Sequence, residues 1–98
     1  MQDLRAELAQ ALDEAEWEWL IPHVKRDVVI FVTKDLDLLD VGVAFARDDT
    51  LSVESWISKQ QLHKPFPDQL NMWNSDKTIR FQALIVQPYV LVQQLAIA

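Results

Sequence analysis

From Thr78 onward apolar and polar positions alternate: Ile79, Phe81, Ala83 and Ile85 are apolar, with Arg80 and Gln82 between them. This is the period of a strand with one face buried. Pro88 has no amide hydrogen to give to a ladder, so it interrupts or redirects the strand, and Tyr89-Val90-Leu91-Val92-Gln93 reads as a second one. No charged residue stands between Phe81 and Ala98. The closing strands therefore lack the lysines or inward charges that usually protect an exposed edge, and the expectation is an edge covered by a second copy of the chain, with Trp73 and the segment Tyr89, Val90, Leu91, Val92 and Gln93 at the interface.

The opening segment has the period of a helix but not one phase. Leu4, Leu8, Ala11, Leu12 and Ala15 share a stripe that Trp19 joins, whereas Trp17, Leu20, Ile21 and Val24 project from nearly the opposite side. One straight helix cannot bury both. Asp13 and Glu16 have the spacing of a capping box, so a break is expected near Asp13, with a second short helix that Pro22 kinks or ends.

Val28 to Val32 is an unbroken β-branched and aromatic run, expected as the central strand, covered on both faces. Leu36 to Ala46 fits both a helix and a strand; Asp35 or Asp37 as a cap, with Ala44 and Ala46, favours helix, although Gly42 costs its interior about 1 kcal/mol. Val53, Trp56, Ile57 and Gln60 mark the next helical face. Leu62 to Pro67 is extended because the residue before each proline avoids the helical region, and Pro67 can then open a helix through Trp73. The fold class is α+β: one globular domain over residues 1–98, with a small, mainly antiparallel sheet of about three strands covered by four or five helices.

Charge narrows the partners. Residues 1–49 hold twelve acidic against five basic side chains and residues 50–98 three against four, within a total of −6. No basic face exists to neutralise phosphates, which argues against nucleic acid. No stretch has the length of a membrane span, the first residues lack signal-peptide order, and there is no cysteine, so the expectation is a soluble cytoplasmic protein.

Trp17-x-x-Leu20-x-Pro22-His23-x-x-Arg26, Leu36-Asp37-Leu38, Val53-x-x-Trp56 and Ile85-Val86-Gln87-Pro88-Tyr89-Val90-Leu91-Val92-Gln93 together resemble a family of short bacterial proteins classed as a domain of unknown function. The resemblance covers nearly the whole chain. It implies a compact bacterial domain and assigns no activity or site.

Candidate chemistry is sparse. On a helix, His23 and Arg26 would share a face that could grip an anion or carboxylate, against the plainer reading of a helix-end histidine and a surface arginine. His63 has no second ligand at metal-like spacing. Asp35, Asp37 and Asp40 fail the calcium-loop template, where Leu39 and Asp40 occupy its fifth and sixth positions, and read as caps. The serines lack a glycine-flanked elbow, and a single glycine rules out a phosphate-cradling loop. No cofactor or metal is expected. Four tryptophans are many for one small core, and Trp17 and Trp19, two apart on a helix, cannot both point inward. The preferred reading is a non-enzymatic protein-interaction domain that self-associates as a homodimer or docks on another protein; the alternative is a small-molecule or anion binder using His23 and Arg26.

Overall fold

The computed structural model describes residues 4–76 and 78–95. In chain order its elements are α1 (Leu4–Ala11), β1 (Asp13–Glu16), α2 (Trp17–Lys25), β2 (Val29–Val32), α3 (Leu38–Ala46), α4 (Thr50–Ser58), β3 (Leu62–His63), α5 (Pro67–Ser75), β4 (Arg80–Val86) and β5 (Tyr89–Gln94). The strands form one mixed sheet in the order β1-β4-β5-β2-β3. Only β2 and β5 run parallel. The α+β class and five helices agree with the sequence; the sheet is larger than the three strands expected, because β1 and the two-residue β3 are too short to show a period.

β4 and β5 form the expected hairpin, paired from Val86↔Tyr89 to Phe81↔Gln94, and the Gln87–Pro88 peptide between them is cis. Their position corrects the edge expectation. β5, rather than β2 as expected, lies in the middle of the sheet, and β2 covers its other side through Val29↔Val90, Ile30↔Leu91 and Phe31↔Val92. The absence of charge on these strands thus reflects a buried centre. The actual edges are blunted in other ways: β1 carries Asp13, Glu14 and Glu16, and β3 is two residues long.

Alternation along the strands sends side chains to two cores. On one face Trp17 and Leu20 of α2 and Trp73 of α5 pack against Val29, Phe31, Phe81, Ala83, Val90 and Val92. On the other, Leu38 and Val41 of α3 pack against Val32, Leu62, Leu84 and Leu91, with Leu8 and Leu12 from the α1 end and Val53 and Trp56 of α4 completing the layer. The sheet is sandwiched between α2 and α5 on one side and α1, α3 and α4 on the other.

The phase conflict at the N-terminus is real, but its resolution differs from a capping box. Asp13–Glu16 pairs antiparallel with β4, and Arg80 Nη1 donates to Glu16 at 2.9 Å while its Nε lies 3.9 Å from Glu14. Helix α2 starts directly after this strand and buries the second stripe, Trp17, Leu20, Ile21 and Val24, leaving Trp19 46% exposed. Pro22 does not end α2, which continues to Lys25.

Leu38–Ala46 is a helix, the favoured of the two readings, and of the two candidate caps it is Asp37 whose carboxylate accepts from the Leu39 amide at 2.9 Å. Gly42 faces the sheet closely: a Cβ there would clash with Leu84 Cδ2 and lie 3.4 Å from Leu8 Cδ1. Gly42→Ala should therefore destabilise the domain by about 1–3 kcal/mol through overpacking against the fully buried Leu84, although alanine is the better helix former by about 1 kcal/mol. Urea denaturation decides between the two effects, and a stabilised variant would show that Leu84 has room to yield.

Candidate functional site

Three helices end in the same way. The residues following α2, α3 and α4 turn left-handed at Asp27 (φ 62°), Asp48 (φ 57°) and Gln60 (φ 61°). Glycine is the usual occupant of that conformation because it has no Cβ to clash. These three ends surround one region. Asp27 and Gln60 line an open apolar groove of about 640 Å³ with Ile30, Phe45, Val53 and Ile57. Asp48 lines an adjoining depression of about 430 Å³ that shares Phe45, Val53 and Tyr89 with it.

The sequence builds this groove from parts that had to be left uncovered. Tyr89 opens β5 beside the hairpin turn, its ring 5.6 Å from Phe45 of α3. Phe66 is held between Pro65 and Pro67, where an extended backbone keeps its ring off the core, and stacks on His63 at 4.1 Å and 11°. Ile57 faces the groove from α4. Ile57 and Phe66 are each 53% exposed and Tyr89 39%. Exposed apolar side chains gathered round one concavity are the usual mark of an interaction surface.

The rim is acidic. Asp27, Asp48, Asp49 and Glu54 line the two depressions against one ammonium, Lys64, a formal charge of −3. Lys64 is already engaged by Asp27. Asp49 caps α4; its carboxyl is held below the ordinary carboxylate range first by the Ser52 hydroxyl at 2.7 Å and then by the Ser52 amide at 3.2 Å. It thus keeps its charge to lower pH than a free aspartate. Among the described residues, no group of three potential metal ligands comes together.

The residues singled out from sequence are dispersed. Val90, Leu91 and Val92 are core, at 2%, 0% and 1% exposure, and so is Trp73 at 0%. Gln93 is a structural tie, its amide donating to the Thr33 and Leu36 carbonyls at 2.8 and 2.7 Å. Of the expected interface segment, Tyr89 alone opens onto a groove. His23 and Arg26 sit at the C-terminal end of α2, where the orphan carbonyls of the helix disfavour an anion. The His23 ring packs on Trp19 at 4.8 Å, and the Arg26 amide closes the helix on the Pro22 and His23 carbonyls. Asp37 and Asp40 both pair with Arg5, consistent with the capping and surface reading of that cluster. Ile57 and Phe66 went unremarked as site residues; the proline-flanked phenylalanine was the available signal, since two prolines hold an aromatic ring on an extended loop.

Fold and site together define a small α+β domain with an open, acid-rimmed groove on one side of a five-stranded sheet. The chain belongs to the family described as protein of unknown function DUF2288, whose model matches residues 3–94, a family of the kind that the sequence resemblance implies. Its structure is similar to the NMR solution structure of PA1075 from Pseudomonas aeruginosa, with a TM-score of 0.81, 29% identity, and coverage of 99% of this chain and 89% of that one. No curated protein is significantly similar to the chain.

Proposed function

We propose that this domain is a non-enzymatic interaction module that holds an apolar segment of a partner protein in the groove between α4, β3 and the start of β5. The observation that carries this reading is the gathering of Ile57, Phe66 and Tyr89, all substantially exposed, around one groove of about 640 Å³. Interfaces draw their affinity from a few such anchors. An enzymatic reading has less support: the His63 ring is stacked on Phe66 with Nδ1 2.8 Å from the Lys64 carbonyl, and among the described residues no serine or threonine lines the 640 Å³ groove beside it.

Self-association is the second reading, because Tyr89 remains from the expected interface. A two-fold contact through the groove would set each acidic rim against its own copy, which favours a different partner. The anion-binding alternative at His23 and Arg26 is weakened by the helix end that holds them.

Titration of the ¹⁵N-labelled domain with an uncharged synthetic helix carrying a Leu/Phe stripe tests the reading. Amide shifts should cluster at Ile57, Phe66 and Tyr89, and Ile57→Ser/Tyr89→Ser should weaken binding at least about tenfold, since each anchor contributes on the order of 1 kcal/mol. Shifts that fall elsewhere, or a double variant that binds equally well, would sink the proposal. Light scattering on the wild type and on Tyr89→Arg reports the second reading: a dimer that Tyr89→Arg splits would make the groove a self-interface.

A further inference from the structure

Resting on the groove as an interaction site, we infer that its partner presents an amphipathic helix whose apolar stripe is flanked by lysine or arginine. The apolar floor and the charged rim each dictate half of this. Phe45, Val53 and Ile57 give no hydrogen-bonding direction and Tyr89 gives one only at its phenol, so the floor selects apolar side chains. Beside them the adjoining 430 Å³ depression carries a formal −3 from Asp48, Asp49 and Glu54, Asp27 and Lys64 cancelling in the groove itself, and among the described residues the Asp48 and Glu54 carboxylates make no hydrogen bond or ion pair. Exposed carboxylates with no partner within the chain, beside an apolar floor, are complementary to a cationic flank.

The neighbouring backbone selects a helix over a strand. A strand would have to add to the outer edge of β3, which offers only Leu62 and His63 before Lys64-Pro65-Phe66-Pro67, where two prolines remove the amide donors. A helix needs no backbone bonds from its host and can place side chains at i, i+3 or i+4, and i+7 in the trough. A second copy of this acidic chain, or an anionic membrane surface, would meet the rim with like charge.

Asp48 allows function to be separated from folding. Its left-handed backbone would suit glycine better, and capping of α4 is done by Asp49, so its side chain is dispensable for the fold. Asp48→Gly should raise the thermal midpoint by about 2–6 °C while reducing preference for a cationic ligand.

The experiment compares three synthetic helical peptides with the same Leu/Phe stripe and Lys, Gln or Glu flanks, by calorimetry at low and high salt. The Lys peptide should bind about tenfold tighter than the Gln peptide and the Glu peptide weakest, with the spread collapsing at about 0.5 M salt. Asp48→Gly/Glu54→Gln should lose most of the Lys preference, the ratio of Lys-peptide to Gln-peptide affinity falling toward one. Equal binding of all three peptides, or a double variant that retains the full preference, overturns the basic partner but leaves the groove as a binding site. Binding by none of the three overturns the groove reading itself. Attachment to anionic vesicles that Tyr89→Ser abolishes overturns the inference in favour of a membrane surface.

Discussion

Trp73→Ala is expected to remove about 3–5 kcal/mol, a fifth or more of the roughly 5–15 kcal/mol that hold a domain of this kind together. Trp73 is 0% exposed and stands at the centre of an aromatic cluster, with ring centroids 5.3 Å from Trp17, 5.6 Å from Phe31 and 5.0 Å from Phe81. Deleting the indole leaves a cavity bounded by α2, the sheet and α5, whose walls cannot all collapse into it. Trp73→Phe should cost much less, because it keeps a ring in the cluster and removes a buried indole N–H that finds no acceptor among the described residues. Urea midpoints for the two variants check this. A Trp73→Ala protein as stable as wild type would mean that α5 does not pack on the sheet as described.

Val90→Lys should abolish folding at 25 °C, whereas Tyr89→Lys should leave it intact. Val90 is 2% exposed, pairs with Val29 on one side and Ile85 on the other, and donates its amide to the Val28 carbonyl at 2.9 Å. Among the described residues no charged side chain is buried, so an ammonium there would be unpaired at a cost of several kcal/mol. Tyr89, the adjacent residue, points to the other face and is 39% exposed, leaving a lysine free to reach water. Far-UV circular dichroism of the two proteins is sufficient. A folded Val90→Lys variant would return β5 to the edge of the sheet and restore the interface that its uncharged sequence suggested.

The candidate site was hardly legible in the sequence. His23 and Arg26 drew attention because imidazole and guanidinium carry recognisable chemistry, yet both serve at a helix end. The groove is made of Ile30, Phe45, Ile57, Phe66 and Tyr89, residues whose types say only that they prefer to leave water. They come together from β2, α3, α4, the loop before α5 and the start of β5, beside the left-handed residues that follow α2 and α4, a relation between distant segments that no local spacing encodes.

The elements were more legible than their arrangement. Local patterns were enough for the β4–β5 hairpin, for the existence of β2 and for α5 opened by Pro67, because period and proline sterics act within a few residues, whereas Leu36 to Ala46 fitted helix and strand alike and capping only favoured the helix. Tertiary structure decided whatever depended on a neighbour from elsewhere in the chain. Asp13–Glu16 became a strand because β4 supplied its hydrogen-bonding partner and Arg80 its countercharge, overriding a capping pattern. The uncharged run Val90–Val92 became the centre of the sheet when β2 paired with its free side in parallel, since the same composition suits a buried strand and an unprotected edge equally. Gly42 was a helix penalty in the sequence and became a point of close approach only once Leu84 lay beneath it.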